Sequence, residues 1–272
     1  MVDTKKRRRL TIVDAHSHIF PKKIADKATQ SIGNFYDAKM LHTGTPQLLL
    51  ESGEKIDTAK YLVSSTATKP EQVEPINTFI AEECSKHPEF FGFGTMHPGY
   101  DHIEEEIERI VALGLHGVKL HPDFQQFYID DPDVMPMYRI IERAGLPILF
   151  HTGDKRLDYS APRRLHDVAV KLPGLTCIAA HFGGYNSWSE GAMNLLLPNV
   201  YFDTSSSLSV LTRDQAVGLL DHFGVDRFMF GTDFPMWDHE QELKRLLALG
   251  LSDEQLDQIL YQNFQRIFHT TL

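Results

Sequence analysis

The sequence predicts an α/β fold, a single closed (β/α)8 barrel, on three observations. Eight short apolar, β-branched or aromatic runs recur along the 272 residues, each followed by a helical pattern. After the first, they are spaced about 24 to 30 residues apart, which suits a strand, a helix and two short loops. The runs are apolar on both faces, so the strands belong to a parallel sheet covered by helices, and eight such units close a barrel better than they build an open sheet.

The first run is Ile12-Val13. A long stretch from about Pro21 to Lys60 follows, containing Asn34-Phe35-Tyr36, Met40 and a helix through Leu48, Leu49 and Leu50. An extended loop at this end of a barrel often shapes the pocket; a plain insertion is the alternative. The next runs are Tyr61-Leu62-Val63 and Phe90-Phe91-Gly92-Phe93. Asp101 and Glu104 then resemble a capping pair, and Ile103, Ile107, Ile110 and Val111 form one apolar stripe ending at Gly114. Gly117 to Leu120, Pro147 to Phe150, Thr176 to Ala180, Val200 to Phe202 and Arg227 to Phe230 supply the remaining strands. Ser252 with Gln255 opens the last helix, where Leu256, Ile259, Leu260, Phe264, Ile267 and Phe268 repeat the apolar pattern. No linker, repeat or low-complexity stretch interrupts the series. The expected organisation is a basic tail at residues 1–10 and one barrel domain at residues 11–272.

Composition narrows the classes. No apolar run reaches the roughly 18 residues of a membrane span, and the basic start lacks the apolar stretch of a secretory signal. A net charge of −10 repels phosphate backbones, so a nucleic-acid partner is not expected. Only Cys84 and Cys177 are present, far apart, which argues against a disulfide framework and fits a reducing cytoplasm. With 14 histidines, a single one means little, and placement decides.

Placement is informative at the strand ends, where chemistry gathers in such a barrel. His16 and His18 lie two apart in a strand, so both imidazoles point to one side. The fourth strand ends in Lys119 and His121, the fifth in His151, the sixth in His181 and the eighth in Asp233. Each has a plain alternative: Asp233 as a turn residue or helix cap, His181 as the neighbour of a tight Gly-Gly turn, His121 as loop packing. Their joint placement at one rim favours a site. Three imidazoles and a carboxylate suit a divalent metal such as zinc, with manganese, iron or cobalt as alternatives. His181, if not a ligand, would steer or deprotonate water.

At these residues the chain resembles the amidohydrolase superfamily, in its amidohydrolase-related branch. The resemblance rests on Asp14-Ala15-His16-Ser17-His18, Gly117 to Pro122, Pro147 to Gly153, Ala180 to Gly184, Phe230 to Pro235 and Asn263 to Phe268. It implies a TIM barrel with one metal ion held by His16, His18, His151 and Asp233. It further implies His181 activating water or polarising the substrate, and Asp233 doubling as the proton carrier. Lys119 and His121 are then expected to face the substrate. A second ion enters if Lys119 is carboxylated. Relatives in this branch include lactone and amide hydrolases, and decarboxylases similar to aminocarboxymuconate semialdehyde decarboxylase. Related barrels often pair, which leaves a homodimer open.

The leading expectation is a metal-dependent hydrolase acting on a small carboxylate, lactone or amide. Arg156, Arg163 or Arg164 would assist Lys119 in holding a substrate carboxylate, with solvated surface as their alternative. Decarboxylation of an unsaturated or aromatic acid at the same site is the second reading. A barrel that binds metal or ligand without turnover is the third.

Overall fold

The computed structural model describes residues 9–272. The basic segment expected at residues 1–10 falls almost wholly outside the described residues. Every expected strand is found. In chain order they are β1 (Ile12–His18), β2 (Thr58–Ser64), β3 (Phe90–Gly92), β4 (Gly94–Thr95), β5 (Val118–Leu120), β6 (Ile148–Phe150), β7 (Cys177–Ala179), β8 (Val200–Asp203) and β9 (Phe228–Met229). All pairings are parallel, in the sequential orders β1-β2-β3 and β4 through β9.

There are nine segments rather than eight because the third expected strand changes partner at Phe93. The Phe93 N–H donates to the Val63 carbonyl (2.9 Å), and the next residue, Gly94, donates to Gly117 (2.9 Å). At the other seam, Ala15 donates to Phe230 (2.8 Å), Asp233 to His16 (2.8 Å) and His18 to Phe234 (2.7 Å). Backbone hydrogen bonds therefore link the last strand to the first, although no regular ladder forms there.

Two layers of apolar side chains follow from the strand alternation. Val13, Ala15, Leu62, Phe91, Phe93, Leu149, Ile178, Ala180 and Met229 form a cluster of their own with Phe264 of the closing helix. The larger cluster joins strand residues such as Ile12, Val63, Val118 and Phe202 to the surrounding helices.

A bulge in β1 sets the phase of the histidine pair. Asp14 lies opposite Tyr61 and Ser17 opposite Val63, so three steps along β1 match two along β2. Val13 and Ala15 thus share the inner cluster, and after the extra residue His16 and His18 take over the inward side. The Asp14 carboxylate braces this bend, accepting from the His16 N–H (3.0 Å) and the Ser17 hydroxyl (2.5 Å). An Asp side chain accepting two residues ahead is a common stabiliser of such turns.

The stretch between β1 and β2 carries two helices, Lys22–Tyr36 and Pro46–Glu54. The second begins with Thr45 as cap, accepting from the Leu48 N–H (3.3 Å), and Pro46 in its first turn. The helix Ile103–Ala112 has its cap one residue later than the expected Asp101. His102 holds that place with no side-chain bond, and Glu104, Glu105 and Glu106 supply the favourable negative charge instead. Ser252 and Gln255 do form the expected capping box, but the closing helix passes through a π-helical turn at Gln258–Gln262. Among the described residues, no helix is long and apolar enough to cross a membrane.

Candidate metal centre and active site

Each strand-end side chain named above reaches the same rim, but they fall into overlapping groups. The first group is His16, His18 and Asp233. His16 Nε2 and His18 Nε2 are 3.2 Å apart, and Asp233 Oδ1 lies 3.6 and 3.3 Å from them. His16 is fully buried, whereas the His18 and Asp233 side chains each keep 14% of their surface in solvent, so the group opens on their side.

Asp233 reaches this point from a left-handed backbone conformation (φ 60°). Its N–H is held by the His16 carbonyl, and its second carboxylate oxygen accepts from the Ser206 hydroxyl (2.5 Å). His181 is likewise left-handed (φ 61°). Its N–H donates to Asp203 Oδ1 (3.1 Å), and its carbonyl accepts from Trp188 Nε1 (3.0 Å). Such conformations persist only where neighbours fix them, and they concentrate at working sites.

The second group is His16, His181 and Asp203. Asp203 Oδ2 lies 2.8 Å from His16 Nδ1, so that nitrogen carries the proton and the Nε2 lone pair faces Asp233. His181 Nδ1 meets the Ser205 hydroxyl (2.8 Å) and its Nε2 meets His151 Nδ1 (3.0 Å). The third group is His121, Asp123 and His151. His151 Nε2 donates to the Gly153 carbonyl (3.0 Å) and lies 3.4 Å from Asp123 Oδ2, which leaves its Nδ1 turned toward His181. The structure thus brings His16, His18 and Asp233 directly together, and sets His151 next to His181 rather than within that trio.

Lys119 is wholly buried, with Nζ 3.2 Å from His16 Nε2. Burial pulls its ammonium down to about 8, opposed by Asp233 and Asp203. Burial likewise lowers His18 and His181 to about 4, and holds His121 and His151 well below the ordinary imidazole range. Burial alone would raise Asp233, but the His18 hydrogen bond and the neighbouring histidines outweigh it, and the carboxyl sits well below its usual value. The rim therefore offers neutral imidazoles and an ionised carboxylate, the protonation states that divalent ions require.

These donors fit a metal. Two Nε2 atoms and a carboxylate oxygen face one another at 3.2 to 3.6 Å, so with the His18 proton displaced all three offer lone pairs to one cation. The Asp203 contact behind His16 is the partner expected for a ligating imidazole.

The three arginines are held in ion pairs of their own. Arg163 pairs with Asp158 and Glu190, and Arg164 with Asp130 and Asp158. Arg156 pairs with Asp154 and lies over the rings of Phe35 and Tyr36 at the rim. Asp203 and Asp123 carry no site signal in the sequence, and Tyr36 stands out there only as part of the insertion. Asp203 follows the last apolar residue of its strand, Asp123 hides two positions beyond His121, and Tyr36 reaches in from the insertion with its hydroxyl 2.9 Å from His121 Nε2.

The solved 5-carboxyvanillate decarboxylase of Sphingomonas paucimobilis superposes with a TM-score of 0.73 at 16% identity, covering 96% of this chain and 100% of that one. The 2,6-dihydroxybenzoate decarboxylase of Rhizobium gives 0.74 at 17% identity, covering 96% and 99%. A dihydroxybenzoic acid decarboxylase from Polaromonas, solved with manganese and 2-nitroresorcinol, gives 0.74 at 15%, covering 96% and 97%. At these identities the likeness shows the fold. A 2-amino-3-carboxymuconate-6-semialdehyde decarboxylase of Dictyostelium discoideum is 27% identical over 107 residues, 38% of this chain, and the match spans only 30% of that protein's length.

These relatives are decarboxylases. They overturn the order expected from the sequence, in which hydrolysis of a lactone, amide or small carboxylate came first and decarboxylation second. The physical reason is that one set of donors serves both reactions, so motifs alone do not rank them. The family model described as Amidohydrolase matches residues 13–270, nearly the whole chain, and the protein belongs to this family.

Proposed function

We propose that residues 11–272 form one catalytic barrel that removes carbon dioxide, without oxidation, from a small aromatic or unsaturated carboxylic acid. The observation that carries this reading is the buried Lys119 ammonium beside the His16, His18 and Asp233 group. A cation inside the rim is suited to hold a carboxylate. His16, His18 and Asp233 would hold one divalent ion, with His151 joining through Nδ1. When bound, the ion supplies positive charge that draws electron density from the substrate. Manganese, the metal of the Polaromonas structure, stands beside zinc as a candidate.

The chain's own residues do the rest. Lys119 pairs with the substrate carboxylate and orients it. His181, neutral at rest, would take up a solvent proton on Nε2 and deliver it to the carbon that loses the carboxyl group, while Ser205 fixes its ring through Nδ1. Asp233 stays ionised, so it can pass that proton as well as bind. The balance is a carboxylate and a proton in, a C–H bond and carbon dioxide out.

The test is carbon dioxide release with matching formation of the decarboxylated product. The metal-loaded protein is given 5-carboxyvanillate, 2,6-dihydroxybenzoate and unsaturated dicarboxylates, beside lactones and amides. Stoichiometric release that disappears in His18→Ala and Asp233→Asn is expected. Turnover of a lactone or amide with no carbon dioxide from any acid would end this reading.

A further inference from the structure

Tyr36 is the last residue of the helix Lys22–Tyr36 and is held over the rim from several sides. Its ring meets Tyr185 edge-on (5.6 Å) and tilts against Phe124 (5.9 Å). Arg156 lies over it (5.4 Å) and donates to the Phe35 carbonyl (2.6 Å), while a paired carboxylate, Asp154, fixes the guanidinium from behind. A cation on the last carbonyls of a helix is favourable, so this latch anchors the helix end at the site.

The hydrogen-bond partners of the Tyr36 hydroxyl follow from the two histidines it faces. His121 Nδ1 accepts from the Phe124 N–H (3.4 Å), so a neutral His121 carries its proton on Nε2. That Nε2–H donates to the Tyr36 oxygen (2.9 Å). His151 Nε2, 3.5 Å away, is itself a donor, committed to the Gly153 carbonyl. The Tyr36 oxygen is thus used as an acceptor. Its own proton has no acceptor in these contacts, and it is held beside the imidazoles at the rim.

We propose that Tyr36 is a substrate-binding residue whose hydroxyl donates to an oxygen on the substrate other than its reacting carboxylate. The site then selects hydroxylated acids. This rests on the decarboxylase reading of the same site. A polar group poised for a substrate oxygen discriminates against analogues lacking it, because its hydrogen bond goes unmade.

Binding separates this claim from turnover. The metal-loaded wild type and Tyr36→Phe are titrated calorimetrically with benzoate, with 2-hydroxybenzoate and with its 2,3-, 2,4-, 2,5- and 2,6-dihydroxy relatives, while carbon dioxide is followed in parallel. At least one hydroxylated acid is expected to bind the wild type about tenfold more tightly than benzoate. Tyr36→Phe is expected to erase that preference while leaving benzoate binding and metal content unchanged. No preference in the wild type, or equal weakening of every acid in the variant, overturns the proposal. Selective binding without carbon dioxide release would instead retain Tyr36 and sink the decarboxylase reading.

Discussion

Asp203 Oδ2 sits 2.8 Å from His16 Nδ1, with both side chains fully out of solvent. This contact decides which nitrogen of His16 is free, because a carboxylate at Nδ1 keeps the proton there and turns the Nε2 lone pair toward His18 and Asp233. Asp203→Asn preserves shape but removes the charge and permits the wrong tautomer. Metal affinity is expected to fall about 10- to 100-fold, read by competition with a chelator. An unchanged affinity would show that His16 is oriented by Ser205 alone, 3.1 Å from the same nitrogen.

Asp14 carries a structural burden on the other side of β1. It accepts from the His16 N–H, the Ser17 hydroxyl, the Thr232 N–H (2.9 Å) and the Thr232 hydroxyl (2.6 Å), and His239 Nε2 lies 3.0 Å away. It therefore ties the β1 bulge to the turn that presents Asp233. Asp14→Ala strands several buried donors and should destabilise the protein by roughly 3–5 kcal/mol, measured by urea denaturation. A loss below about 1 kcal/mol would mean that water replaces the carboxylate at little cost.

Much of this was legible in the sequence, and the gaps have physical reasons. His16 and His18 share a side because strand periodicity is local, and the βα spacing fixed which strand ends share a rim. The bulge that phases them was not legible, since one extra residue leaves no mark in composition. Asp203 is inconspicuous because an Asp after an apolar run also reads as a turn residue. Tyr36 lies in the insertion after β1, which reads equally as a pocket-shaping loop or a plain insertion, and nothing local marks its helix end as reaching the site. The Asp101 cap failed because a His between it and the first turn took the boundary.

Glu242 gives the protein a pH dependence away from the metal site. Its side chain is buried, one oxygen pairs with Arg245, and the other, Oε2, has no partner. Burial outweighs the arginine and raises the carboxyl from the ordinary 4.5 to about 7. Between those values the folded protein holds a proton that the unfolded chain has released, so stability falls as pH rises through that window. Glu242→Gln removes the titration. Relative to wild type it should gain roughly 2 kcal/mol between pH 5 and pH 8, read from urea midpoints at both values. The same difference at the two pH values would count against a buried, uncompensated charge.

Gly153 links His151, at the end of β6, to the turn that follows β7. Its φ of +82° is left-handed, and a Cβ there would stand 2.7 Å from the Gly184 carbonyl carbon and the Tyr185 nitrogen. Both obstacles are backbone, pinned by the Tyr185 N–H bond to the Thr152 carbonyl (2.7 Å). Gly153 must also keep its carbonyl under His151 Nε2. Gly145 is a built-in control: its φ is +70°, yet nothing lies within 4 Å of a Cβ placed there. Gly145→Ala should cost only the conformational penalty, about 1–2 kcal/mol. Gly153→Ala adds the collision and should cost at least about 2 kcal/mol more, with loss of bound metal as His151 is freed to turn. Thermal unfolding and metal analysis of the two variants side by side check this. Equal, mild effects would show that the Gly184 turn yields and that His151 does not depend on it.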